Sequence, residues 1–134
     1  MPQVAIDFMN QDHDKIYLLI TQIQAQLTST EKDSEASQIT QMMQSLLQQC
    51  KEHFDHEESQ MQAYHFPQLT EHQQEHQLIL EITQEVLIAW QTSKDLLRLQ
   101  LYMQQTLPTW LIGHVDSMDT EAALFISSSS KKKS

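Results

Sequence analysis

The sequence predicts an all-α fold, an antiparallel up-down four-helix bundle, on three observations. One glycine and three prolines in 134 residues leave few places for tight turns. Gln, Leu, Glu, Met and Ala, which favour helices, are abundant. Four amphipathic stretches joined by short connections follow one another, the pattern of antiparallel helices that share one interior. A chain of 15.7 kDa fits one domain that buries most of its apolar surface without crosslinks. Residues 1–126 are read as that bundle, and residues 127–134, serine and lysine only, as a disordered tail or a linker to something downstream.

The first helix is expected over residues 10–28, where His13, Ile16, Ile20, Ile23 and Leu27 recur at three- and four-residue steps and mark one buried stripe. Residues 29–35 are polar and charged and read as a loop, with a helix cap at Asp33 or Ser34. The second helix carries Ile39, Met43, Leu46, Cys50, His53, Glu57, Met61 and Tyr64 along one face, with a carboxylate where an apolar residue would normally sit. His65-Phe66-Pro67 predicts a tight corner, because proline disfavours helical geometry in the residue before it and suits the first turn of a new helix. Thr70 and Gln73 are placed as a capping box for the third helix, unless Pro67 starts it a turn earlier. Its face reads Leu69, His72, His76, Ile79, Thr83, Val86 and Trp90. A connection around residues 91–93 leads to the last helix, read inward as Leu97, Leu101, Leu107, Leu111, His114, Met118, Ala122 and Phe125. Pro108 falls inside it and should bend or split it before His114.

Composition bounds the partners. A formal charge of -10 and a pI near 4.9 disfavour binding to a phosphate backbone, so nucleic acid is not an expected partner. Cys50 is alone and forms no internal disulfide, and no basic-then-apolar leader or bilayer-length apolar run is visible. The expected setting is a reducing cytoplasm without a membrane.

The candidate site is the set of polar residues on the apolar stripes: His13, His53, Glu57, His72, His76, His114 and Asp119. His53/Glu57 and His72/His76 are each four residues apart, which at about 100° per residue puts each pair on one helical face. An ionised carboxylate on a buried stripe is heavily penalised unless paired or coordinated, and an apolar core offers clustered imidazoles no hydrogen-bond partners. A pair of metal cations supplies both needs, and imidazole with carboxylate is a donor mix that suits iron. His114 and Asp119 are five apart, roughly 140° on an ideal helix, so their convergence needs local unwinding, a π-type bulge or a second ion offset along the axis. His56 and His65 fall outside the set; His56 is read as solvated or as a neighbour of the ligands.

The residues His53-Phe54-Asp55-His56-Glu57-Glu58, then Met61, Tyr64, Phe66-Pro67 and His72-x-x-x-His76 resemble the hemerythrins, most closely their single-domain bacterial members. The similarity continues with Trp110-Leu111-Ile112-Gly113-His114-Val115, Asp119, and Ile6-Asp7 ahead of Gln11-Asp12-His13, and so covers Ile6 to Phe125. The resemblance implies two non-haem iron ions, an oxo or hydroxo bridge, and bridging carboxylates at Glu57 and Asp119. It implies that His72, His76 and His114 serve one iron, that His13 and His53 serve the other, and that this second iron keeps an open position for dioxygen. The implied activity is reversible dioxygen binding for transport, storage or sensing, without enzymatic turnover, with Ile16, Trp110, Leu111 and Met118 as neighbours that keep the pocket dry. The segment before the first helix is shorter than is usual in these relatives, which implies a less tightly closed pocket mouth and faster autoxidation.

Alternatives come from other classes: a di-iron redox enzyme acting on peroxide or nitric oxide, or an iron storage or handling protein. A downstream signalling domain or partner would fit the sensing use. The chain has no Glu-x-x-His pair, against a ferritin-like oxidase, and no His-Glu-x-x-His, against a zinc protease.

Overall fold

The computed structural model describes residues 1–28 and 35–132, and among these residues the chain forms helices and no strand. The helices are α1 (Asp7–Leu27), α2 (Glu35–Ala63), α3 (Leu69–Ser93) and a long, internally irregular α4 over residues 96–132. Of the loop expected over residues 29–35, residues 29–34, with the cap at Asp33 or Ser34, lie outside the described residues, and Glu35 already belongs to α2. Neighbouring helices run antiparallel. Asp12 meets His53 and Phe8 meets His56 between α1 and α2, whereas Glu58 meets His76 and Thr40 meets Trp90 between α2 and α3. Thr83 meets Tyr102 between α3 and α4, and Gln24 meets Met103 between α1 and α4. The four helices thus close a ring around one interior, as an up-down bundle requires.

The apolar stripes go inward. His13, Ile16, Ile20, Ile23 and Leu27 on α1, and His72 through Trp90 on α3, are buried as their periodicity demands. Two apolar clusters fill the interior. The larger runs through Ile20, Met43, Leu46, Val86, Leu99 and Met103; the smaller, Met61, Phe66, Ala122 and Ile126, closes the opposite end. The seven predicted site residues lie between them.

Helix ends depart from the sequence reading for local reasons. α1 begins at Asp7 rather than near residue 10, and the Asn10 side chain ties the preceding segment down: its Oδ1 accepts from Val4 N–H at 2.8 Å and its Nδ2 donates to Val4 C=O at 3.0 Å. At the predicted corner His65 takes the left-handed conformation (φ 57°), and Phe66 N–H reaches back to Met61 C=O at 2.9 Å, a Schellman-type stop. α3 starts at Leu69 without a side-chain cap, so the Thr70/Gln73 box is not formed. α3 also continues through residues 91–93, and the turn falls at Lys94 (φ 52°) and Asp95, whose carboxylate accepts from Arg98 N–H at 3.2 Å.

α4 contains two π segments, Tyr102–Thr106 and Val115–Asp119, separating helical stretches Leu96–Leu101, Leu107–His114 and Thr120–Lys132. The first absorbs Pro108. In a π register Met103 C=O would accept from residue 108, whose ring nitrogen has no hydrogen; Gln24 Nε2 donates to that carbonyl instead, at 2.8 Å. The extra residue in this turn also rotates everything upstream, which corrects the predicted face. Leu97 (66% exposed) and Leu101 (47%) point to solvent, and Leu99, Tyr102 and Met103 take the core positions. α4 continues to Lys132, past the boundary drawn at residue 126, as a helix extends at little cost once its stem is packed. No helix among the described residues is long and apolar enough to cross a membrane.

Leu46 is fully buried in the larger cluster, away from the polar layer. Leu46→Ala should lower unfolding stability by about 2–5 kcal/mol, read from urea denaturation, and leave the metal content of the folded protein unchanged.

Candidate metal centre

Every helix delivers a donor to one level of the bundle. α1 brings His13, α2 brings His53 and Glu57, α3 brings His72 and His76, and α4 brings His114 and Asp119, all at most 4% exposed. The i,i+4 pairs on α2 and α3 need only regular helix. His114 and Asp119 need the second π segment, which adds the residue that turns Asp119 back toward His114, so His114 Nε2 lies 3.1 Å from Asp119 Oδ1. Thr120 Oγ1 donates to Val115 C=O at 2.8 Å across this segment.

The donor atoms fall into two overlapping sets. Glu57, His72, His76, His114 and Asp119 form one, and His13, His53, Glu57 and Asp119 form the other, with atoms in each set within 4.8 Å of one another. The two carboxylates belong to both. Asp119 divides its oxygens between them: Oδ1 is 2.8 Å from His72 Nε2, and Oδ2 is 3.0 Å from His13 Nε2. Glu57 Oε1 stands between His53 Nε2 (3.2 Å) and His76 Nε2 (3.4 Å), with Oε2 at 3.7 Å from His13 Nε2.

These residues fit a cation better than they fit each other. His13 Nε2, His53 Nε2 and both Glu57 oxygens are buried without an aligned hydrogen bond, despite charged neighbours a few ångströms away. His114 Nε2 is 3.1 Å from His72 Nε2 and 3.2 Å from His76 Nε2. Two nitrogens about 2.1 Å from one ion at right angles are about 3 Å apart, so this crowding is what coordination produces. Imidazole and carboxylate without thiolate suit a first-row transition metal such as iron.

Without a cation, protons do the balancing. Burial alone would lower the His13 pKa, but Asp119 and Glu57 outweigh it and raise the value to about 9. Burial also disfavours charge on His53 and His76, yet Glu57 raises both, helped by Asp12 and Glu58 respectively. Burial and mutual repulsion would push both carboxylates up, but the surrounding imidazoles hold Glu57 and Asp119 well below the usual range.

Two residues that periodicity did not single out touch the donor layer from outside. Asp12 accepts from His53 Nδ1–H at 2.9 Å, and Glu58 accepts from His76 Nδ1–H at 2.8 Å. Their only sequence signal is adjacency to His13 and Glu57. Two rings also cover the imidazoles: Phe54 stacks on His76 (3.9 Å, 7°) and Trp110 on His114 (4.5 Å, 11°). Of the expected dry neighbours, Ile16 and Leu111 are buried, while Trp110 and Met118 are half-buried. His56 is exposed and stacks on Phe8 (3.9 Å), and His65 is exposed at the corner. A cleft of ≈ 240 Å³, lined in part by Lys15, Gln49 and Glu52, reaches Asp12 and His53 from solvent.

The model of the hemerythrin HHE cation binding domain family matches residues 4–123, which takes in all seven donors. Comparison with curated proteins and with solved structures yields no match.

The metal-free protein should show a bounded pH window of stability. His13, raised when folded, stabilises fully below its ordinary 6.5, and that contribution disappears as pH rises through about 9. Glu57, lowered when folded, stabilises above its ordinary 4.5 and loses that contribution on acidification. Denaturant midpoints measured with chelator present should therefore fall on both sides of the interval from 4.5 to 6.5, and a flat profile from 6.5 to 9 would contradict this account.

Proposed function

The chain belongs to the hemerythrin family, its cation-binding domain spanning residues 4–123, and on that premise we propose that it holds two iron ions and binds dioxygen reversibly. The reading is carried by one observation: two buried donor sets of unequal size share the same two carboxylates. In this reading Glu57 and Asp119 would be shared by the ions, with His72, His76 and His114 holding one and His13 and His53 the other. The smaller set leaves room for an external ligand. Two ferrous ions, when bound, supply the two electrons that dioxygen takes up and gives back.

The chain's own residues do the rest. Five imidazoles and two carboxylates from four helices hold the ions in a fixed frame, so ligand exchange requires no helix to move. Phe54 and Trp110 lie flat on His76 and His114 and keep water from the larger set, and Ile16 and Leu111 add apolar cover. The cleft at Asp12 and His53 favours a second reading, redox turnover of a small polar molecule such as peroxide or nitric oxide. Transport, storage and sensing all use the binding chemistry.

The test is to load the protein with iron, reduce it anaerobically, and follow the visible spectrum through repeated exposure to air and removal of oxygen. A ligand-to-metal band that appears and vanishes over several cycles is expected; a single irreversible conversion would support turnover instead. Glu57→Ala should hold clearly fewer than two irons per chain by elemental analysis, and retention of both would refute its bridging role.

A further inference from the structure

We propose that Asp12 and Glu58 are positioning residues of this centre: each fixes one imidazole of one donor set and brings negative charge to the edge of the metal layer. The inference rests on the two-ion reading above and extends it to residues outside the donor sets.

The placement is regular. Asp12 precedes His13 on α1 and reaches across to His53 on α2, while Glu58 follows Glu57 on α2 and reaches across to His76 on α3. Each carboxylate therefore sits beside a donor of its own helix and holds a donor of the next. A carboxylate has no proton to give at Nδ1, so each pairing requires Nδ1–H on the imidazole and leaves Nε2 as the bare nitrogen facing the interior. His53 belongs to the smaller donor set and His76 to the larger, so each set has one imidazole oriented this way. The other three, His13, His72 and His114, have buried Nδ1 atoms with no hydrogen-bond partner.

Charge gives the second argument. Two divalent ions would bring four positive charges into a layer where the shared carboxylates supply two negative ones and an oxo or hydroxo bridge would supply part of the rest. Uncompensated charge in a low-dielectric interior is strongly penalised, and an ion is the largest charge in its site. Asp12 and Glu58 add negative charge through direct hydrogen bonds to one ring of each donor set. Their side chains are 27% and 23% exposed, so they stay solvated at the outer edge while acting on the buried face. Hydrogen bonding to an anion makes an imidazole a stronger donor and favours the more highly charged state of the metal it binds.

The test uses the iron-loaded full chain with Asp12→Asn and Glu58→Gln, which keep an acceptor oxygen and remove the charge. Each variant should release iron to a ferrous chelator in two phases, with one of the two irons lost roughly 10- to 100-fold faster than in the parent protein. The midpoint potential should rise in both, since the oxidised state loses a compensating charge. Asp12→Glu and Glu58→Asp, which restore charge at a different reach, should bring the potential back toward the parent value. Parent-like iron release and potential in Asp12→Asn and Glu58→Gln would overturn the proposal, as would failure of the charge-restoring pair to move the potential back. If the parent protein itself binds no pair of irons, the two-ion reading fails and not this assignment; zinc retention by parent and variants, measured by the same chelator competition, still tests the positioning role.

Discussion

Glu57 and Asp119 are carboxylates 1% exposed at the level where four helices meet, and a carboxylate is tolerated there only when positive charge or hydrogen bonds reach both of its oxygens. An isolated ionised group in such a medium costs on the order of tens of kcal/mol in an idealised estimate. This requirement explains the surrounding architecture. Five imidazoles are drawn from all four helices to the same level, so helix register is set by a point as well as by apolar faces. The apolar clusters flank that point on both sides, and the donors remain dry without being part of either. In the metal-free chain the two carboxylates raise the proton affinity of His13, and Glu57 that of His53 and His76, so that protons can offset part of the negative charge. A cation displaces those protons and satisfies more donors at once, which couples metal binding to both pH and folding.

The same requirement accounts for the least regular part of the molecule. A strict α-helix would leave Asp119 roughly 140° from His114, facing away from the other imidazoles. The π segment Val115–Asp119 spends one residue on closing that angle, and Asp119 then reaches both donor sets. The other π segment has a different origin, the missing N–H of Pro108, and its carbonyl is rescued from another helix by Gln24. Two irregularities in one helix thus have separate causes: one serves the centre, and the other serves the backbone.

The four helices and the inward placement of seven polar residues were legible in the sequence because a charged or imidazole side chain at core spacing stands out against apolar neighbours. The need for irregularity between His114 and Asp119 was also legible, since a five-residue spacing does not fit one helical face. Leu97 and Leu101 were misplaced because periodicity was carried through a π turn: Pro108 marks an irregularity in the sequence, but not the extra residue that the turn takes up before it. The Thr70/Gln73 box failed for a related reason: the chain leaving Phe66 enters α3 at Leu69, and tertiary packing of the corner overrides a weak local motif. Asp12 and Glu58 were hidden because an acidic residue off the apolar stripe looks like any solvated charge, and only the fold reveals that it touches an imidazole across a helix boundary.

The two donor sets also differ in their surroundings, and that difference bears on how the centre meets the outside. The larger set is roofed by stacked rings, with Phe54 on His76 and Trp110 on His114, and these planes exclude water from the imidazole faces. The smaller set has no such roof; its His53 lies at the floor of a polar cleft and is held by the half-buried Asp12. The smaller set is thus the one that solvent approaches most closely, through the few residues between the cleft and His53. Ile16 lines that cleft and is buried against the core, beside His13 on the same face of α1, so its apolar side chain stands where polar solvent would otherwise approach the donors. Access to the donor layer from this side is therefore set at the narrow boundary of α1 and α2, where one apolar side chain separates a polar cleft from the buried imidazoles.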